Sequence, residues 1–268
     1  MYKNILNVQI EQYNKLFRDI NKVYPGLSKD EKKKQTILMM MSQRGIDMEI
    51  FANAFANPFV ESEKAQYCAE ILALTHDIQQ GINRYYLKDD NLLTFFKETE
   101  VKEKEIASIL DTIKEKKYNI WGVITKNFSF TLLYSELKND FHSLTVLTDE
   151  MNYTFCIEKT LKNHNQEIYN MALNFLFYLK AFPECITEGV PAGVKKNDKA
   201  SVVTTSEKII SHTTSEHGFV RPHFRSGYFR HFTSDYFVNC KGQVRFIEAT
   251  MVKGKAYTVH NRQNQELI

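Results

Sequence analysis

The stretch from Asn119 to Leu132, NIWGVITKNFSFTL, marks the point where the chain changes from a helical to an extended pattern. From here on, large apolar residues fall at every second position within short runs. They are Trp121, Val123, Phe128, Phe130, Leu132, Leu144, Val146, Tyr153, Phe155 and Ile157. Because successive side chains of a strand point to opposite faces, this period predicts several strands. One helix is expected after them, from Gln166 to Phe182, ending before Pro183.

Upstream of this stretch, apolar residues recur at helical spacing from Met1 to about Lys117. The first helix is expected to end at Pro25-Gly26, and the sequence Ser28-Lys29-Asp30-Glu31 predicts a capping box at the start of the next. Together the two patterns predict an α+β protein with a helical N-terminal domain, a central mixed α/β region and a small basic C-terminal antiparallel β-module.

The polar stretch after residue 187 has the composition of an exposed linker, with Pro191, Gly193 and a run of lysines. It supplies the predicted domain boundaries. We expect a helical domain at residues 1–118, strands plus a helix at 119–187, a linker or long loop at 188–218 and the basic β-module at 219–268.

The composition excludes several classes of protein. The chain of 268 residues is 43% apolar and 25% charged, which is typical of a globular protein. It has no apolar run of the length of a membrane span and no signal-peptide pattern at its start, so we expect no membrane association and a cytoplasmic location. Its four cysteines lie far apart and its histidines are irregularly spaced, so neither a metal nor a cofactor is expected.

The C-terminal module has a composition found nowhere else in the chain. Residues 219–232 are FVRPHFRSGYFRHF, and from Phe219 to the end eight Lys and Arg stand against three acids. This net of +5 exceeds the +3 of the whole chain. The sequence Asn239-Cys240-Lys241-Gly242 supplies turn chemistry and Gln243–Ile247 a second strand, so a hairpin is predicted.

Cationic side chains neutralise phosphates and exposed aromatic rings stack on unpaired bases, so this module predicts recognition of single-stranded RNA by a sheet surface. In an extended strand, Tyr228 and Arg230 point to one side and Phe229 and His231 to the other. The expected contact residues are Arg221, His223, Arg225, Tyr228, Arg230, His231 and Arg245.

Three alternatives stay open from these residues. The aromatic rings can form a core while the arginines pair with carboxylates. His223 and His231 can act as acid and base on an RNA 2′-hydroxyl, in a metal-independent ribonuclease or toxin-like enzyme. The module can also bind an acidic protein partner through its arginines.

The segment from Val220 to Phe232 resembles the C-terminal signature Arg-Pro-His-x-Arg-Arg-Gly-His-Trp of a type V-A anti-CRISPR family, the one that suppresses production of the type V CRISPR nuclease. The helix and Pro-acid pair within Leu173–Ile186, and the sequence Gly189-Val190-Pro191, are similar to the family's residues before the signature. Val244-Arg245-Phe246 and Met251-Val252 resemble the family's ending. The similarity runs from about Ala172 to Val259.

The signature is matched at Arg221, Pro222, His223, Arg225 and Gly227. It is changed at three positions, with Ser226 for a second Arg, Tyr228 for His and Phe229 for Trp. Losing a cation and an imidazole weakens catalysis more than binding, because the aromatic replacements keep stacking and packing capacity. The resemblance implies a non-enzymatic phage or plasmid protein for evading host defence, which engages RNA, a nascent or folded host-defence protein, or both.

Overall fold

The computed structural model describes residues 6–51, 63–113, 118–136, 142–148, 152–156, 165–194, 199–207, 209, 224–225, 227–248 and 250–251. The chain forms two compact units, each assembled from three separate segments. Unit 1 comprises Met1–Asp90, Lys114–His164 and Thr187–Val203, and unit 2 comprises Asn91–Ile113, Asn165–Ile186 and Thr204–Ile268. The predicted α+β class with a helical N-terminus is confirmed.

In its described residues, unit 1 contains a seven-stranded mixed sheet and several helices. The helices include α1 (Asn7–Val23), α2 (Lys29–Ser42) and α3 (Glu63–Gln80). The strands are β1 (Asn83–Leu87), β2 (Tyr118–Ile124), β3 (Ser129–Glu136), β4 (His142–Leu147), β5 (Asn152–Cys156), β6 (Ile186–Glu188) and β7 (Ala200–Val203). Their spatial order is β5-β4-β3-β2-β1-β7-β6.

The period-two stretch of the sequence forms the antiparallel run β2-β3-β4-β5. β1 joins this run by pairing in parallel with β2, and on its other side it pairs in parallel with β7. Small residues of α3, Ala69 and Ala73, share an apolar cluster with Ile120 and Leu133 of the sheet. They bring the helix close to the sheet because their side chains are short.

Two short strands differ from the sequence-based expectation. β1 lies inside residues 1–118, which were expected to be helical, and β7 lies inside 188–218, which were expected to be a linker or long loop. β7 has only four residues, Ala-Ser-Val-Val, in a polar neighbourhood, so no periodic pattern indicates it. Its place in the sheet comes from hydrogen bonding to β1 and from burial of Ala200 and Val203.

The predicted capping box at the start of α2 is confirmed. The Glu31 N–H donates to Ser28 Oγ at 3.3 Å, and the Ser28 N–H donates to Glu31 Oε2 at 2.8 Å. Hydrogen bonds from the Ser28 hydroxyl and backbone lower the pKa of Glu31. Since the folded-state pKa is lowered, any stabilisation from this carboxylate is present above its unfolded pKa and is lost as the pH falls through the folded value.

The end of α3 is held by a largely buried ion pair. Arg84 Nη2 lies 2.6 Å from Asp77 Oδ2, and the two side chains are only 13% and 12% exposed. The other carboxylate oxygen of Asp77 accepts the backbone N–H of Ile82 at 3.1 Å. Gly81, at φ 73°, takes the left-handed conformation that ends many helices. Asp77 therefore ties the last turn of α3 to the first residues of β1.

In its described residues, unit 2 contains several helices, a 3₁₀ turn and two short ribbons. The helices include α4 (Asp90–Glu98), α5 (Glu103–Ile113) and α6 (Gln166–Ala181), and the 3₁₀ turn Pro183–Cys185 follows α6. The strands β8 (Phe224–Arg225) and β11 (Thr250–Met251) form one antiparallel pair, and β9 (Tyr228–His231) and β10 (Val244–Ile247) form the other. α4 and α5, expected in the helical domain, thus belong to the same unit as the C-terminal module.

α6 forms the centre of unit 2 and is buried on all sides from Tyr169 to Tyr178. Asn174, 1% exposed, donates from its amide to the carbonyl oxygens of Phe96 at 2.9 Å and Thr99 at 2.7 Å, which satisfies acceptors at the end of α4. The Tyr178 hydroxyl donates to the Thr204 carbonyl at 2.6 Å, and burial raises its pKa. Among the described residues, no helix is long and apolar enough to cross a membrane.

Candidate functional site

The predicted hairpin of the C-terminal module is present as β9 and β10, and its two faces have different chemistry. Phe229 lies opposite Phe246, and Arg230 lies opposite Arg245. Because side chains alternate along each strand, the first pair and the second pair point to opposite faces. β9 contacts α5, and both strands contact α6.

The inner face of the hairpin is part of an aromatic core. Phe229 is 3% exposed, and its ring centroid lies 5.2 Å from that of Phe246, 5.9 Å from Phe177 and 6.3 Å from Phe95 and Phe182. The contacts are edge-to-face, which is the favourable geometry for aromatic rings. The inner face of the hairpin therefore matches the alternative in which the aromatic residues form a core.

The glycine of the signature segment has a packing role in this core. A Cβ atom built at Gly227 clashes with Phe246 Cζ and lies only 3.1 Å from Cε1. The Phe246 ring has neighbours at 5.4 Å in Phe95 and 5.2 Å in Phe229, so little room is left for it to move. Gly227 thus permits the close approach of its backbone to the ring.

We expect the Gly227→Ala variant to lose about 2 kcal/mol of stability in unit 2, the usual cost of overpacking a filled core. Amide hydrogen exchange of β9, β10 and α6 measures the loss. Gly26→Ala is the matched control, because no atom lies within 4 Å of the Cβ position there. Equal exchange in the two variants contradicts the packing role.

His231, a proposed contact residue and one half of the enzymatic alternative, is joined to α5. Its Nδ1 lies 2.5 Å from Ser108 Oγ, and its backbone N–H donates to Glu105 Oε2 at 3.2 Å. These two hydrogen bonds attach β9 to consecutive turns of the helix. The other half of the enzymatic alternative, His223, lies outside the described residues.

Tyr228, expected to stack on a base, is buried at 8% exposure. The ammonium nitrogen of Lys102 lies 3.2 Å from its ring centroid, in a cation–π contact that covers one face of the ring. Tyr228 therefore contributes packing here and does not offer a free ring face. Nothing in the local sequence distinguishes Tyr228 from an exposed tyrosine, because an aromatic residue of a strand can be either buried or exposed.

Two arginines lie side by side on the outer face of the hairpin, which we call the cationic face and define as Arg230 and Arg245. Directly opposite like charges destabilise an antiparallel pair. The Arg245 guanidinium donates to Gln243 Oε1 at 2.9 and 2.6 Å, and Arg230 Cζ lies 5.1 Å from the ring centroids of both Phe232 and Phe237. Within the described part of the chain, neither guanidinium meets a carboxylate.

The loop from Phe232 to Gln243, which we call the hairpin loop, is internally hydrogen-bonded. The Gly242 N–H donates to the Phe232 carbonyl at 2.7 Å, and the Phe232 N–H donates to the Gln243 carbonyl at 3.0 Å. Tyr236 and Val238 protrude from this ordered loop at 87% and 81% exposure. The strand pattern of the sequence does not point to Tyr236, because this residue lies outside both strands. The signal in the sequence is its position in a turn-rich stretch, TSDYFVN.

The side chains of the remaining predicted contact residues lie outside the described part of the chain. Arg221 lies outside the described residues together with His223, and Arg225 is described only as a backbone position of β8, paired with Thr250. The structure therefore brings Tyr228, Arg230, His231 and Arg245 onto one hairpin, with the two arginines on its cationic face. In the described ranges, no group of three or more His, Cys, Asp or Glu side chains is arranged to hold a metal ion.

Unit 1 has a cavity of about 610 Å³ between α2 and α3. Its lining is mostly apolar and includes Met41, Leu72 and Ile78. Lys33 at this cavity forms an ion pair with Asp30 at 3.2 Å. The cationic face of the hairpin is the better candidate for anion recognition, because its two arginines are direct cross-strand partners and neither forms an ion pair within the described residues.

Comparison with known proteins gives no relative for this chain. No family model, no curated protein and no solved structure matches it.

Proposed function

We propose that this protein is a non-enzymatic recognition protein that binds RNA through the cationic face of its β9–β10 hairpin. The observation that carries the proposal is the direct opposition of Arg230 and Arg245. Holding two cations together costs free energy in the unbound protein, and a bound anion removes that cost. RNA presents anions in a regular row, so it suits such a pair.

The aromatic support of Arg230 strengthens the proposal. A guanidinium beside two rings keeps its charge and its planar donor edges while its position is restricted by the rings. Phe232 and Phe237 themselves pack edge-to-face at 4.8 Å. The arginine is thus partly ordered before a ligand arrives, which lowers the entropy lost on binding.

We extend the proposal to the biological setting that the sequence resemblance implies, an anti-CRISPR-like regulator of a mobile element. Its support is the match at Arg221, Pro222, His223, Arg225 and Gly227. The packing role of Gly227 gives a physical reason why one of these positions requires glycine. Binding is favoured over the ribonuclease alternative because Ser226 and Tyr228 stand where the signature has a cation and an imidazole, and their loss weakens catalysis more than binding.

The test is the salt dependence of RNA binding, measured by fluorescence anisotropy with a labelled 20-nucleotide single strand. The logarithm of the binding constant falls with log salt concentration by roughly 0.7 for each phosphate contacted on a single strand. The double variant Arg230→Gln/Arg245→Gln is therefore expected to reduce this slope by roughly 1.4. Glutamine keeps polarity and much of the length while removing the charge.

Arg18→Gln is the matched control, because Arg18 is an exposed arginine on α1 of unit 1. It is expected to leave the slope unchanged. Absence of salt-dependent RNA binding in the wild-type protein overturns the proposal, as does a double variant with the wild-type slope. Binding of an acidic protein but not of RNA assigns the cationic face to the protein-interaction alternative.

A further inference from the structure

Tyr236, at the tip of the hairpin loop, has a nearly free ring on an otherwise ordered loop. Its backbone N–H donates to Ser234 Oγ at 3.3 Å, and the N–H of Phe237 donates to the Ser234 carbonyl at 3.1 Å. The side chain itself is 87% exposed. An aromatic ring left in water on a fixed backbone is a ready stacking surface, since little backbone freedom remains to be lost on binding.

Phe237 connects this ring to the cationic face. The Tyr236 and Phe237 rings are perpendicular, at 90°, with centroids 5.4 Å apart, and Arg230 Cζ lies 5.1 Å from the Phe237 centroid. The Tyr236 ring and the Arg230 guanidinium are therefore separated by no more than about 11 Å, which is about three nucleotides at the ~3.4 Å rise of a stacked strand. One short strand spans both groups.

The charges around the tip leave the tyrosine available for a polyanion. Lys241 and Asp235 form an ion pair across the loop, so they contribute no net charge. The other Lys, Arg, Asp or Glu side chains between Tyr228 and Ile247 are Arg230 and Arg245, and both are cationic. An aromatic ring on the same hairpin as two cations suits a base attached to its phosphates better than it suits an apolar protein segment.

We propose that Tyr236 is a base-stacking residue that restricts the site to unpaired RNA, with a minimal ligand of about three or four nucleotides. This inference rests on the proposed function, because it takes the cationic face as the phosphate contact. Bases within a duplex are already stacked on their neighbours, so only an unpaired or terminal base can lie on this ring. The selectivity for single strands therefore resides in the loop, and the phosphate affinity resides in the two arginines.

The experiment measures the affinity of the full chain for a 12-nucleotide unstructured RNA, for the same RNA in a duplex, and for single strands of two to eight nucleotides. Tyr236→Ala is expected to weaken single-strand binding about 5- to 140-fold, the range found for loss of one stacked base. Duplex binding is expected to change less than twofold. Affinity in the length series is expected to rise steeply up to three or four nucleotides and only slowly beyond.

Tyr236→Phe keeps the ring and is expected to retain binding within about threefold, since stacking needs the ring and not the hydroxyl. Tyr24→Ala removes another exposed tyrosine, 54% exposed in unit 1, and is the matched control. A 2-aminopurine base in the tetranucleotide gives a separate readout, because its fluorescence is quenched when it stacks. The quenching is expected with the wild type and Tyr236→Phe and is expected to be lost with Tyr236→Ala.

The inference is overturned, with the proposed function intact, if wild-type binding depends on Arg230 and Arg245 but is unaffected by Tyr236→Ala. Equal affinity for the single strand and the duplex overturns it in the same way. If Tyr236→Ala abolishes binding of a protein partner while RNA binding stays unchanged, the ring is a protein contact and the inference is wrong. Failure of the proposed function is distinct, because the wild type then shows no salt-dependent RNA binding at all.

Discussion

The Phe229→Ala variant is expected to lose about 4 kcal/mol of stability in unit 2, within the usual range for removing a buried phenylalanine. Phe229 is 3% exposed and its ring meets four others, from α4, α6, the residue that follows α6, and β10. Those partners are aromatic and hold one another in place, so they cannot collapse into the space that the ring leaves. The full cavity cost is therefore expected.

Amide hydrogen exchange of β9, β10 and α6 measures this effect. A loss of 4 kcal/mol corresponds to exchange about a thousandfold faster wherever exchange requires opening of the unit. Tyr236→Ala is the matched control, since it removes an exposed aromatic from the same hairpin and is expected to change stability by less than about 0.5 kcal/mol. Acceleration of less than tenfold in Phe229→Ala contradicts a central role for this ring.

The Asp77→Ala variant is expected to destabilise unit 1 by about 3 kcal/mol. The change leaves the Arg84 guanidinium largely buried without its carboxylate, and it removes the acceptor of the Ile82 N–H. A buried charge without a partner costs more than the ion pair contributes, because its desolvation is no longer compensated. Both consequences fall at the junction of α3 and β1.

Urea unfolding followed by the fluorescence of Trp121 measures the loss, because this single tryptophan is buried in β2, whose neighbour is β1. The double variant Asp77→Leu/Arg84→Met is expected to recover most of the stability, since it replaces both charges with apolar groups of similar volume. If the free energy of unfolding of Asp77→Ala lies within about 1 kcal/mol of the wild-type value, the ion pair does not hold the junction.

The hairpin shows which structural features the local sequence predicts and which it does not. The turn chemistry of Asn239–Gly242 and the strand pattern of β10 are local, so they predict a ribbon of two strands. The register that sets Arg230 against Arg245 depends on the hydrogen bonds within a twelve-residue loop, including that of Gly242 to Phe232. A loop one residue longer or shorter would shift the register by one and turn the side chains of one strand to the other face. No local rule specifies the geometry of a loop of this length.

Burial likewise separates two tyrosines that are equivalent in the sequence. Tyr228 lies under Lys102, which is 126 positions earlier in the chain, whereas the ring of Tyr236 packs against its loop neighbour Phe237 and is 87% exposed. The stacking role predicted for a strand aromatic therefore moves to a loop aromatic in our proposal. Contacts between distant segments decide which tyrosine is buried. The sequence pattern around either residue does not indicate these contacts.

By itself the sequence determined the features that arise within one turn or one strand: the helix periods, the capping box at Ser28–Glu31, the strands that begin near Asn119 and the basic character of the C-terminal module. The tertiary structure alone decided the place of β1 and β7 in the sheet, the division into two units that each use three segments, and the opposition of the two arginines. The physical reason is that four or five residues cannot specify a strand without the neighbour that pairs with them. That neighbour is supplied by folding of the whole chain.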